Sequence, residues 1–188
     1  MKKYYVPLLI VIVLGCSLRV LSQDLSEEAR KVTSVYNDKT DTTVVRFGPM
    51  HLKNFSTGGG PYSPIFEDGE LRLSAFFTYK GKTLVKPQSI GWIFTSANSP
   101  GNRWELSKQK DLEITADDDH WNIPNVEIVG STNGINLVID LLGVAIPCDV
   151  FAKISNAKKV RLRLGDRRVD LAKEHLATLR DLAGHAGC

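Results

Sequence analysis

Four consecutive residues, Asp117-Asp118-Asp119-His120, form the densest group of metal-binding side-chain types in this chain. Carboxylate oxygens spaced along a loop suit a hard cation such as Ca²⁺, and an imidazole nitrogen adds a ligand for Zn²⁺. Asp117, Asp119 and His120 are therefore the candidate metal ligands. The run lacks the Asp/Asn-Gly spacing and distant Glu of an EF-hand loop, and no second His falls at zinc-site spacing. The commoner use of such a run is a solvated acidic turn between strands. No cofactor is assigned.

A second group has binding chemistry. Residues 153–173 hold eight Lys/Arg against Asp166 and Asp170. Within it Arg161 and Arg163 alternate with Val160, Leu162 and Leu164, so they line one face of a strand, and Arg167 and Arg168 follow a turn. Such a face suits an anionic glycan, a lipid headgroup or an acidic partner, although most charge runs are solvated surface. Trp104 and Trp121 flank polar loops and are candidates for stacking against a sugar, with Tyr62 nearby in type; Trp92 lies between apolar neighbours and reads as core.

Other chemistries find little support. Gly58-Gly59-Gly60 lacks the Lys-Ser/Thr ending of a phosphate loop, and Asn54-Phe55-Ser56 matters as a glycosylation acceptor only in a eukaryotic secretory source. There is no Gly-x-Ser-x-Gly, Ser-x-x-Lys or His-Glu-x-x-His sequence. Cys148 sits beside Asp149 in an apolar setting, which disfavours a thiolate nucleophile. No catalytic residue is assigned. The missing motifs lean the reading away from an enzyme, and an enzyme stays open as an alternative because triads are assembled in space rather than in sequence.

The elements that must position these residues read as strands with turn punctuation. Segments 42–47, 71–80, 89–96, 104–106, 112–115, 126–129 and 135–142 are rich in Val, Ile, Thr, Phe and Tyr between Gly, Pro and Asn breaks. The last third changes character. Pro147 opens a short helix near 147–156, with Cys148, Phe151 and Ile154 at three-residue spacing. A hairpin follows near 158–170, and a C-terminal helix near 171–183 carries a stripe of Leu171, His175, Leu176, Leu179 and Leu182 ended by Gly184. The expected fold class is α+β: a mainly antiparallel β body, a sheet or sandwich, with two helices near its end.

The front of the chain is an address. Lys2 and Lys3 precede an apolar run over residues 4–14, and Val20-Leu21-Ser22 precedes Gln23, the layout of a secretory leader. The run is shorter than the about 20 residues a spanning helix needs. The expected organisation is a signal peptide over 1–22, a flexible lead-in over 23–31 and a single domain over 32–188. Val13-Leu14-Gly15-Cys16 resembles a bacterial lipobox and offers a second exit, with Cys16 acylated. The chain carries 24 Lys+Arg against 21 Asp+Glu. Lys2, Lys3 and Arg19 account for that excess, so the body is formally neutral and gives no reason to expect nucleic acid, or a membrane beyond a lipid anchor. Cys148 and Cys188 are candidates for a disulfide in an oxidising compartment, with a buried free Cys148 as the alternative.

The stretch 150–183, with Phe151-Ala152-Lys153-Ile154, Ala157-Lys158-Lys159-Val160, Leu164-Gly165-Asp166 and Leu176-Ala177-Thr178-Leu179-Arg180, resembles the C-terminal part of uncharacterised bacterial secreted or periplasmic proteins. Residues 38–45 are similar to an early strand of the same kind of protein. The likeness covers about a third of the chain and consists of packing residues. It implies a secreted or periplasmic bacterial protein and no activity. The expected role is an exported, non-catalytic binding or structural module whose partner is an envelope component, a glycan or a protein. The alternatives are a small extracytoplasmic hydrolase and a module that binds carbohydrate or anionic polymer.

Overall fold

Alternation of apolar and polar residues along each strand builds two antiparallel sheets. The computed structural model describes residues 31–52, 70–98, 111–124, 126–133, 138–165 and 167–188. The first sheet contains β1 (Thr33–Asn37), β2 (Thr42–Leu52), β3 (Glu70–Lys80), β4 (Ser89–Asn98), β7 (Glu127–Asn133) and β8 (Val138–Pro147), in the order β1-β2-β3-β4-β8-β7. The second contains β5 (Asp111–Ala116), β6 (Asp119–Pro124), β9 (Val160–Leu164) and β10 (Arg167–Asp170), in the order β10-β9-β5-β6. Two helices, α1 (Cys148–Asn156) and α2 (Lys173–Ala186), complete the described elements. This is an α+β fold with a β-rich body.

Every strand pair is antiparallel, and the register decides which side chains enter the core. On the first sheet Val45, Phe47, Leu73, Phe77, Ile90, Trp92, Phe94, Leu142, Val144 and Ile146 face inward and are buried. Phe47 and Met50 are both inward although three residues apart. The reason is a bulge: the ladder of β2 on β3 shifts between them, at Gly48-Pro49. Pro49 has no N–H to give a ladder, so it is tolerated where the ladder is broken. The ring of Trp92 packs edge-on against Phe94 and Phe151, each with centroids 6.2 Å away. Trp92 is thus a core residue.

The helices cover the first sheet. α1 packs on β4 and β8, α2 on β2, and the two helices on each other. Leu176, Leu179, Leu182, Ala183 and Ala186 of α2 are buried, as is Phe151 of α1. One continuous apolar cluster joins these helices to Leu112, Ile114, Leu162, Leu164 and Val169 of the second sheet. Arg180 donates from Nη2 to the Ala157 carbonyl at 2.9 Å, tying α2 to the exit of α1.

Several boundaries differ from the sequence expectation. The C-terminal helix starts two residues later than 171 and passes Gly184 to end at Ala186. Gly184 is exposed while Ala183 and Ala186 are buried, so packing carries the helix through it. Gly187, at φ +67°, is the residue that turns the chain. β8 runs to Pro147, five residues beyond the expected end, because it pairs with β4 along its whole length. β1 and β6 were not expected as strands. Residues 38–41 form the β1–β2 turn rather than strand, and the expected strand at 104–106 lies outside the described residues.

Candidate binding face on the second sheet

Of the sequence-derived site residues, Asp117, Asp119, His120, Trp121, Arg161, Arg163 and Arg168 lie on the second sheet or in its β5–β6 loop. β5 and β6 form a hairpin whose two-residue loop is Asp117-Asp118. Asp117 has φ +50°, a left-handed conformation that Asp tolerates better than most residues. Its carboxylate accepts from the backbone N–H of Lys158 at 3.1 and 3.0 Å and of Lys159 at 2.9 Å, and its own N–H donates to the Lys159 carbonyl at 2.9 Å. The loop is therefore tied to the segment between α1 and β9. Those two backbone N–H groups hold the Asp117 carboxyl below the usual carboxylate range.

The strand period separates the remaining metal candidates. Asp119 opposes Ala116 and His120 opposes Thr115. Successive residues of a strand point to opposite faces, so the Asp119 carboxylate and the His120 imidazole leave the sheet on different sides. Asp119 lies 3.9 Å from the Lys153 ammonium, and His120 Nδ1 is 3.2 Å from the Thr115 hydroxyl. Among the described residues, no three His, Cys, Asp or Glu side chains converge to hold a metal ion.

The same alternation sorts the rest of the sheet. Trp121, Ile114, Leu162 and Val169 form one cross-strand row on the apolar face. Trp121 is half-buried against the core, with the Lys153 ammonium 6.0 Å from its ring centroid. The outer face carries two polar rows. One reads His120, Thr115, Arg161, Asp170, and the other Asn122, Glu113, Arg163, Arg168. Arg161 grips Asp170 in a two-pronged contact, Nε to Oδ1 at 2.6 Å and Nη2 to Oδ2 at 3.1 Å. The guanidinium holds the Asp170 carboxyl below its usual range. Arg163 binds both oxygens of Glu113 and also donates from Nη1 to the Gly165 carbonyl at 3.3 Å.

The charge excess read from residues 153–173 is thus partly answered by acids on neighbouring strands. Glu113, 50 residues away in sequence, is the partner that inspection of the basic run misses. Arg168 is exposed beside Arg163. Trp104, Tyr62, Gly58-Gly59-Gly60, Asn54, Cys16 and the side chain of Arg167 lie outside the described residues.

Cys148 and Cys188 are bonded to each other across 40 positions, with their Cα atoms 5.5 Å apart. The bond joins the first residue of α1 to the last residue of the chain. Another polar group was hidden in the sequence. Asp140 lies on the inward face of β8, accepts from the Ser131 hydroxyl at 2.8 Å, and has no hydrogen-bond partner for Oδ2 among the described residues. Its setting in an otherwise apolar run conceals it. What the second sheet offers chemically is an outer face with two arginine–carboxylate pairs beside the exposed side chains of His120, Asn122 and Arg168. Comparison with protein-family models, curated proteins and solved structures found no match to this chain.

Proposed function

We propose that this protein is an exported, non-catalytic module that works as a binding or structural component, secreted or associated with the cell envelope. The observation that carries the reading is the Cys148–Cys188 bond in a chain that begins with a leader-type segment. Structural disulfides persist in oxidising compartments and are rare in a reducing cytosol. The non-catalytic part rests on how the chemically capable side chains are used. Asp117 braces a hairpin, Arg161 and Arg163 are held by Asp170 and Glu113, and Asp119 and His120 face apart.

Intact mass of the protein isolated from its native host tests the reading. The expected species begins at Gln23 or at an acylated Cys16, and shifts up by the mass of two hydrogens on reduction. A chain that retains residues 1–22 and carries two free thiols would overturn it.

A further inference from the structure

A sheet that ends in an open strand presents a row of backbone groups to other chains, and most folds blunt such edges. Among the described residues the two sheets have four edge strands, β1 and β7 in the first and β10 and β6 in the second. Three of them carry a blunting device. The ladder of β7 shifts between Ile128 and Gly130, and β6 opens on Asp119 and closes on Pro124. β10 has only four residues, among them Arg167, Arg168 and Asp170. β1, Thr-Ser-Val-Tyr-Asn, has no such device: it contains no charge and no proline, and its five pairs with β2 run without a break. Residues 33–36 are exposed, with Val35 at 56% and Tyr36 at 36% accessibility.

We propose that β1 is a self-association edge, to which β1 of a second copy adds antiparallel about a two-fold axis at Val35. The backbone N–H and C=O groups of an open edge specify an extended strand as the occupant. A second copy offers that strand already ordered by its ladder to β2, whereas a free peptide must first lose conformational freedom. The residues of β1 are also compatible with themselves. Centring on Val35 uses all five positions of both copies, with Ser34 opposite Tyr36 and Thr33 opposite Asn37, and no like charges meet within the ladder. Val35 opposes the half-buried Val44 of β2, so the pairing completes a row of valines, Val44 and Val35 of each copy, across the joined sheets. β-Branched neighbours of this kind favour strand pairing. An isologous two-fold contact closes on itself and gives a dimer rather than a fibre. A five-residue edge covers less than the about 800 Å² per partner of a standard interface, so the dimer is weak and reversible. Self-association goes beyond the export reading and holds wherever the chain resides.

Sedimentation velocity of the purified, disulfide-bonded protein over a concentration series tests it. A monomer–dimer equilibrium is expected, with half-association above about 1 µM, since larger interfaces already extend to that affinity. Val35→Lys should weaken association about fivefold or more at unchanged melting temperature, because two ammonium groups then face each other across the axis. Val35→Glu should do the same, and mixing the two variants should restore association as a heterodimer. Ile128→Lys, at a similarly exposed position on β7, should leave association unchanged. A protein that stays monomeric up to about 1 mM, the weak end of specific binding, overturns the proposal and leaves β1 to an extended segment of another protein. A dimer insensitive to Val35→Lys, equally sensitive to Ile128→Lys, or not restored by mixing overturns it as well.

Discussion

Asp117 and Asp170 show how single carboxylates are spent in this fold. Each is held below the usual carboxylate range, Asp117 by two backbone N–H groups and Asp170 by the Arg161 guanidinium. A carboxyl depressed in the folded state contributes stability above its unfolded pKa of about 3.9, and that stability is lost as pH falls through the folded value. Melting temperature should therefore fall from about pH 4 downward, partly through these two groups. The double substitution Asp117→Asn/Asp170→Asn is expected to flatten this acid limb and to lower the melting temperature at neutral pH. Melts followed by circular dichroism from neutral pH down to about pH 2 check both outcomes; an unchanged acid limb would remove these residues from the account. Both partners of Asp117 lie more than 40 positions away. The residue reads in sequence as a metal ligand because its oxygens are visible there and their donors are not.

Among the elements, α1 and α2 are held by packing and by one covalent bond. The Cys148–Cys188 disulfide closes a 40-residue separation, so in the chain-entropy account it restrains the unfolded chain by about 4 kcal/mol. Cys188→Ser, or reduction, is expected to lower unfolding free energy by about 2–4 kcal/mol in urea titrations while far-ultraviolet dichroism at zero urea stays unchanged. The second part follows because α2 also buries Leu176, Leu179, Leu182 and Ala186, apolar packing that does not require the covalent bond. The helices and the long strands were legible from residue spacing. β6 was not, since Asp119, His120, Asn122 and Pro124 have low strand propensity and read as loop. Its pairing with β5, and Trp121 and Ile123 against the core, override local preference. β1 was missed for a related reason: it is an exposed edge strand whose five residues show no inward alternation.

At the scale of the whole molecule, one apolar cluster runs through both sheets and both helices. Neither sheet has a separate core, so they should unfold together. Far-ultraviolet and near-ultraviolet dichroism are expected to give coincident urea midpoints, and two separated transitions would contradict a single cooperative unit. The long first sheet also separates two charged regions. Its β3–β4 loop lies by the start of α1, whereas the charge-paired face belongs to the other sheet. Surface charge is accordingly arranged in two ways. On the outer face of the second sheet, Arg161 and Arg163 are matched by Asp170 and Glu113 across strands, and in the β3–β4 loop Lys82 and Lys86 bracket Leu84 and Val85.

By itself the sequence determined the leader-type segment, the neutrality of the body and the strand-rich pattern with two terminal helices. These are local properties: an apolar run, a count of charges, a period of two or of 3.6 residues. Tertiary structure decided the pairing of Arg163 with Glu113, the separation of Asp119 from His120, the joining of Cys148 to Cys188 and the exposure of Leu84 and Val85. The physical reason is common to all four. Each depends on which distant segment becomes a neighbour, and strand register and helix docking fix that only when the core closes.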